Sequence, residues 1–154
     1  MEQAFSPIIK KEVIRAILMT HGLVLVVGWP DTGKTSAAIQ AGNEIGEVFY
    51  YNEKKNQQTP DAETFTRLQS IDSFRGISSE NAVLIVDDIE LLDEALLSEL
   101  KKLVIERVGT TKIALICRTM LDAKDFLDII DAVVRVRKDT AQPIFTKLTD
   151  IKAI

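Results

Sequence analysis

The chain has 154 residues, 46% of them hydrophobic and 27% charged, which is typical of a single globular domain. Its formal net charge of −4 provides no global positive field for nucleic acid, and its single cysteine excludes an internal disulfide bond. No apolar run approaches the roughly 20 residues of a membrane span, and we find no signal-peptide pattern. We therefore expect a cytoplasmic protein without a membrane span.

The first predicted elements are a helix and a buried strand. Ser6 and Pro7 are a typical helix start, and apolar residues follow at helical spacing until His21 and Gly22. We expect His21 to have a structural role at the end of this helix. Residues 23–27 are all apolar and mostly β-branched, which predicts a strand that is buried on both faces.

The next eight residues spell G-x-x-x-x-G-K-T, which predicts a loop that binds a phosphate chain. Gly28 and Gly33 let the backbone curl so that N–H groups point inward, and the following helix presents its positive end. Lys34 would reach the β- and γ-phosphates, and the Thr35 hydroxyl would ligate Mg²⁺. The residues expected to bind the nucleotide are Gly28, Trp29, Pro30, Asp31, Thr32, Gly33, Lys34, Thr35 and Ser36.

This loop resembles the Walker A motif of P-loop NTPases, although a glycine turn between a strand and a helix would have the same pattern. In one respect the loop departs from its relatives. Family loops often read Gly-x-Pro-Gly-x-Gly-Lys-Thr, whereas Asp31 places a carboxylate near the phosphates. That carboxylate either points to solvent or weakens binding.

Strands and helices alternate along the rest of the chain. We predict strands over residues 47–52, 82–86, 112–117 and 132–136, and a sixth strand over residues 143–148. We predict helices over residues 34–43, 61–74, 89–108 and 122–130, with a loop over residues 54–60. This alternation favours a parallel sheet with helices on both faces and ligands at the carboxyl ends of its strands.

The strand over residues 82–86 is followed by Asp87, and this arrangement resembles the Walker B motif. A carboxylate at this position would hold Mg²⁺ beside Thr35, so that the metal neutralises charge developing between the phosphates. A helix N-cap is the alternative role for Asp87.

Hydrolysis requires a group that orients and deprotonates a water molecule, and two acidic residues are candidates. Asp88 lies where AAA+ proteins usually carry a catalytic glutamate, although it is one methylene shorter. Glu53 follows the strand after the P-loop helix, where RecA-like and KaiC-like ATPases place theirs. The alternatives are a capping role for Asp88 and a solvated loop position for Glu53.

Polar residues at the end of the fourth strand resemble phosphate sensors of the same superfamily. These residues are Arg118 and Thr119, which should lie next to the γ-phosphate. Asp87 and Asp88 together with Arg118 also resemble the acidic pair and strand-end arginine of STAND-type signalling NTPases.

The chain as a whole resembles an ATPase core of the additional-strand (ASCE) division of P-loop NTPases, RecA-like or AAA+-like. The resemblance implies a three-layer α/β/α sandwich with a mainly parallel five-stranded sheet in the order 5-1-4-3-2. We expect a single P-loop NTPase domain over residues 1–154, with an N-terminal helix to residue 21, a core over residues 22–138 and a C-terminal extension over residues 139–154.

The implied function is that of a minimal Mg²⁺-dependent ATPase that works as a homo-oligomer or with a partner protein, its cofactors being ATP and Mg²⁺. The alternatives are a nucleotide-gated switch or assembly factor with little hydrolysis and a nucleic-acid motor or recombination ATPase. The net charge does not indicate nucleic acid as a partner. The nucleic-acid alternative depends on a basic cluster formed by Arg135, Arg137, Lys138 and Lys147.

Overall fold

The protein folds around one sheet, which we describe from a computed structural model of residues 6–54, 64–77, 80–107 and 109–146. The strands are β1 (Leu23–Val27), β2 (Glu47–Asn52), β3 (Thr66–Arg67), β4 (Ala82–Asp87), β5 (Lys112–Cys117), β6 (Ala132–Val136) and β7 (Ala141–Thr146). The α-helices are α1 (Ser6–Thr20), α2 (Lys34–Ile45) and α3 (Glu94–Arg107). Three 3-10 segments cover Ile71–Gly76, Ile89–Leu91 and Met120–Phe126.

The seven strands lie in the order β3-β2-β4-β5-β1-β6-β7. All pairs are parallel except the one between β6 and β7, which is antiparallel. The carboxyl ends of the six parallel strands therefore meet at one edge of the sheet, where ligands bind in open α/β folds.

Helices cover both faces of the sheet. On one face, α1 and α2 pack against inward-facing residues such as Val26 and Ile85. On the other face, α3 and the 3-10 segments pack against residues such as Leu25 and Leu84. The central strands β1 and β4 are buried along their whole length, which explains their continuous apolar sequence.

The sheet has seven strands, whereas five were predicted, so the predicted strand order lacks the two edge strands. The five predicted strands keep their relative order, but β3 and β7 extend the sheet at its two edges. The expected sixth strand over residues 143–148 is observed as β7, which begins at Ala141; residues 147–148 lie outside the described part.

Two helices agree closely with the prediction. The helix α1 ends at Thr20, and the ring nitrogen Nδ1 of the next residue, His21, lies 3.1 Å from the carbonyl oxygen of Ile17. The helix α2 ends at Ile45, beyond the predicted residue 43, and the Gly46 N–H caps it by donating to the Gly42 carbonyl. None of the described helices combines the length and the hydropathy that crossing a membrane requires.

Three predicted helices are wrong in extent or type. Within the helix predicted over residues 61–74, residues 64–70 are not α-helical, because the Leu68 N–H bonds to the Tyr50 carbonyl (2.8 Å) and attaches this segment to the edge of β2. The end of the predicted range belongs to the 3-10 segment Ile71–Gly76. The helix over residues 89–108 begins at Glu94, since the Asp93 carboxylate caps it by accepting from the Leu96 N–H (2.9 Å). Of the helix predicted over residues 122–130, only residues 122–126 are helical, as the end of the 3-10 segment Met120–Phe126.

The predicted loop over residues 54–60 is described only at Lys54, which has no regular secondary structure. The other residues of that loop and residues 61–63 lie outside the described part, as does Lys147.

Candidate nucleotide-binding site

The loop between β1 and α2 needs its two glycines for different reasons. A side chain at Gly28 would place its Cβ 2.5 Å from the Val136 carbonyl oxygen, so only glycine fits against β6. Gly33 has a φ of 82°, a left-handed conformation that glycine adopts without strain. Asp31 is also left-handed, with a φ of 66°. The loop therefore curls as a phosphate-binding loop does.

The amino end of α2 faces the site without a side-chain cap. Its N-cap is Gly33, which offers no hydrogen-bonding side chain. The first N–H groups of a helix have no partner within the helix, and together with the helix dipole they favour an anion. This 12-residue helix can therefore contribute to an anion site at the loop.

Lys34 and Thr35 begin this helix, and their side chains bond to the loop and to Asp87, respectively. The Lys34 ammonium donates to the Trp29 carbonyl (3.2 Å), which holds it across the loop. The Thr35 hydroxyl donates to Asp87 Oδ2 (2.7 Å), although the two residues are 52 positions apart in the chain. The hydroxyl and the carboxylate thus meet at one point, as the two motifs predict for a magnesium site.

Asp87 is 1% exposed and belongs to a buried polar network. The Tyr50 hydroxyl donates to Asp87 Oδ2 (2.6 Å), and the Asp88 N–H donates to Asp87 Oδ1 (2.8 Å). Burial raises the pKa of Asp87, and the neighbouring Asp88 raises it further. The same burial, with the Asp87 charge, raises the pKa of the Tyr50 hydroxyl.

Asn52 extends this network to Asp88. Its amide Nδ2 donates to Asp88 Oδ2 (2.9 Å) and to the Tyr50 hydroxyl (3.1 Å). The parallel register sets Asn52 opposite Asp87, which explains how β2 reaches both acids. Asp88 itself is left-handed, with a φ of 50°, and the Asn52 amide holds its carboxylate through Oδ2.

These groups surround a cavity of about 520 Å³ at the carboxyl edge of the sheet, the phosphate cavity. Its lining includes much of the loop, both aspartates and two residues beyond them. The lining residues are Pro30, Asp31, Gly33, Lys34, Thr35, Ser36, Lys54, Asp87, Asp88, Glu90, Leu91 and Arg118. Trp29 and Thr32, also expected to bind the nucleotide, line a neighbouring cavity together with Gly28.

The two candidates for water activation are placed differently. Asp88 lines the phosphate cavity, whereas Glu53 is not among its lining residues. The Glu53 carboxylate accepts a short hydrogen bond from the Tyr51 hydroxyl. Burial, with this bond to Glu53, raises the pKa of Tyr51.

Glu90 is a third acidic residue of the cavity, and the sequence reasoning missed it. Its side chain is 18% exposed, and its Oε1 is buried without a hydrogen-bond partner among the residues that the structure describes. Burial raises the pKa of Glu90, and the charge of Asp88 adds to this effect. A glutamate in the apolar stretch after Asp88 was the available signal, but the prediction of one long helix from residue 89 obscured it.

Arg118 and Thr119 follow β5, as expected of sensor residues, but only Arg118 lines the phosphate cavity. Its Nε lies 3.8 Å from Glu90 Oε2, and its side chain is 54% exposed. The Thr119 hydroxyl donates to the Asp122 carboxylate (3.2 Å), which caps the following 3-10 segment. The exposed Arg118 side chain can therefore reach a ligand in the cavity. The Thr119 hydroxyl is instead bonded to Asp122 at the start of the 3-10 segment.

Lys10 supports the loop from behind, another role that the sequence reasoning missed. It is 5% exposed, and its ammonium donates to the carbonyls of Thr32 (2.5 Å) and Lys138 (2.7 Å). Burial lowers the pKa of Lys10. A lysine on the buried side of the first helix was the signal that could have found it.

The strand order and the loop between β1 and α2 together give a P-loop NTPase-like fold. No protein-family model matches the chain, and no curated protein matches it. Among solved structures, the chain is similar to the VirB11 ATPase of the Brucella suis type IV secretion system in complex with sulphate, with a TM-score of 0.55 and 11% identity. The match covers 100% of this chain and 62% of that chain, so the present chain spans less than two thirds of the ATPase. At this identity the likeness shows the fold.

Proposed function

We propose that this protein binds ATP with Mg²⁺ and hydrolyses it slowly, as a single domain in the cytoplasm. The observation that supports this most is the convergence of the left-handed loop, the uncapped end of α2 and the bond between Thr35 and Asp87 on one cavity. Backbone N–H groups of the loop would hold the phosphates, and Lys34 would reach the β- and γ-phosphates. Ser36, next on α2, lines the cavity and would meet the α-phosphate.

The residues present fit a magnesium ion. Mg²⁺ in nucleotide sites takes one or two protein oxygens, and phosphates and waters complete its octahedron. Thr35 Oγ1 and Asp87 Oδ2 are two such oxygens, 2.7 Å apart and directed at the same region. A bound cation would favour the ionised form of Asp87 against the effect of its burial. The ion would neutralise charge on the phosphates during transfer.

For water activation we propose Asp88, because its carboxylate lines the cavity. Asn52 fixes the orientation of this carboxylate through the Nδ2 hydrogen bond. Glu90, with its unpartnered buried oxygen, is the next candidate, and Glu53 follows because Tyr51 occupies its carboxylate. Arg118 would sense the γ-phosphate by leaving its ion pair with Glu90 and pairing with the phosphate instead.

A nucleotide-gated switch or assembly factor with little hydrolysis is the second candidate function. The observation in its favour is that neighbouring side chains already bind the carboxylates of both Asp88 and Glu53. Asn52 holds Asp88, and Tyr51 holds Glu53. In either case we propose that a second copy of the chain or a partner protein stimulates the site.

Phosphate release from Mg·ATP tests these assignments. Asp88→Asn should reduce the rate by about 100-fold or more, the usual contribution of a general base. Glu53→Gln should stay within about threefold of the wild type. Glu47→Gln is the matched control, because Glu47 is exposed at the opposite edge of the sheet.

Two results would change the proposal. Equal rates for the wild type, Asp88→Asn and Glu90→Gln, all near background although ATP binds, would favour the switch. A fast rate that does not depend on protein concentration would contradict the need for a second copy or partner.

A further inference from the structure

A lysine outside both sequence motifs, Lys54, also lines the phosphate cavity. It is exposed and lies two residues beyond the end of β2. In the sheet, β4 and β5 separate β2 from β1, the strand that leads into the phosphate loop. Lys54 therefore approaches the cavity from the side opposite the loop, where a phosphate chain held by the loop would end.

One amide side chain binds both Lys54 and Asp88. Asn52 Oδ1 accepts from the Lys54 N–H (2.8 Å), and Asn52 Nδ2 donates to Asp88 Oδ2 (2.9 Å). Asn52 is 1% exposed, so these bonds are shielded from water and fix the amide in place. The backbone of Lys54 is thus held next to the acid that we propose for water activation at the γ-phosphate.

Arg67 holds the other side of the Lys54 backbone. Its guanidinium donates to the Lys54 carbonyl (3.2 Å) and lies over the Tyr50 ring, 5.4 Å from the ring centroid. Arg67 is one of the two residues of β3, which pairs with β2. The short edge strand therefore brings an arginine to a residue that has no regular secondary structure of its own.

The Lys54 ammonium forms no ion pair within the described ranges, although four acidic residues line the same cavity. The other cations of the cavity differ in this respect. Lys34 donates to the Trp29 carbonyl, and Arg118 lies 3.8 Å from a Glu90 oxygen. Lys54 can thus bind an anion without first leaving a partner among the described residues. An ammonium is a compact charge with three donors, which suits a phosphate oxygen.

We infer that Lys54 binds the γ-phosphate and so lets the site distinguish ATP from ADP. This role rests on the proposed ATP site and adds a specificity-determining residue to it. Lys34 reaches the β-phosphate as well as the γ-phosphate, so it contributes to the binding of both nucleotides. ADP lacks the phosphate that Lys54 contacts, so removal of the Lys54 ammonium weakens the binding of ATP alone.

Calorimetric titration of the full chain with Mg·ATP and with Mg·ADP tests this role. Lys54→Gln should bind Mg·ATP about tenfold more weakly, the usual loss for a hydrogen bond to a charged group, and Mg·ADP within about twofold of the wild type. Lys54→Arg should recover most of the ATP affinity, because it restores a cationic donor. Arg67→Gln keeps the ammonium but releases the Lys54 carbonyl, and it should reduce the preference for ATP by a smaller factor.

Lys102→Gln is the matched control, because it removes an exposed lysine of α3 outside the phosphate cavity. It should leave both affinities within about twofold of the wild type, whereas Lys34→Ala should weaken both. The role of Lys54 is wrong if Lys54→Gln weakens both nucleotides equally, or neither, while Lys34→Ala weakens both. A wild type that binds neither nucleotide would instead show that the ATP site itself is wrong, and the role of Lys54 with it.

Discussion

Replacing Asp31 should strengthen ATP binding and, with glycine, also stabilise the protein. Asp31 is exposed, lies in the phosphate loop with a φ of 66°, and lines the phosphate cavity. Two separate costs follow from this position. One is the left-handed backbone of a residue that has a side chain, and the other is a negative charge near the phosphates.

The two costs have comparable sizes. A left-handed conformation costs an L-residue roughly 1–2 kcal/mol, less for aspartate, and the added chain entropy of glycine opposes about 0.5–1 kcal/mol of any gain. Asp31→Gly should therefore raise the free energy of unfolding by up to about 1 kcal/mol. A unit charge about 6 Å away in water costs roughly 0.7 kcal/mol, so two phosphate charges weaken binding about tenfold.

Asp31→Asn separates the two effects, because asparagine tolerates the left-handed conformation but carries no charge. Isothermal titration with Mg·ATP should show about tenfold tighter binding for Asp31→Asn at low salt, and less at high salt. Urea unfolding should show a gain for Asp31→Gly only. Asp125→Asn, an exposed change outside the phosphate cavity, is the control. Unchanged ATP affinity in Asp31→Asn would refute the reasoning, because the carboxylate would then point away from the phosphates.

Three further substitutions test the residues around the site. Asn52→Ala should lower the free energy of unfolding by about 1–3 kcal/mol, since it leaves Asp88 and Tyr50 without their donor; a melting temperature that stays within 1 °C would contradict this. Burial raises the pKa of Asp87, so its ionised form destabilises the fold above the unfolded pKa of about 3.9. The free energy of unfolding of Asp87→Asn relative to the wild type should thus rise between pH 4 and pH 7 in urea unfolding, because the amide does not ionise, and a constant difference would contradict this. Lys10→Met should weaken Mg·ATP binding about tenfold in calorimetry, because two carbonyls around the loop lose their donor; unchanged affinity would show that the loop does not need this support.

The sequence was sufficient for the central strands because they are buried on both faces. Such strands appear as continuous apolar runs, as in β1, whose five residues lie between Gly22 and Gly28 and are too few for a helix. It was insufficient for β3, which consists of two residues that pair with the edge of β2. That pairing depends on tertiary contact and leaves no periodicity in the sequence.

In the candidate site, too, local features could be predicted from the sequence and features that depend on tertiary contact could not. The loop follows from a local motif because all of its parts are consecutive in the chain. The positions of Tyr50 and Asn52 do not, since their partners Asp87 and Asp88 are 37 and 36 residues away and the strand register decides which side chains meet.

Calorimetric titration of the full chain with ATP, with and without Mg²⁺, tests the central claim most directly. One ATP should bind per chain, at least tenfold more weakly in Lys34→Ala, and the contribution of Mg²⁺ should disappear in Thr35→Ala while circular dichroism shows both variants folded. An absence of ATP binding by the wild type, or equal affinity in Lys34→Ala, would contradict the assignment of residues 28–35 as a nucleotide-binding loop.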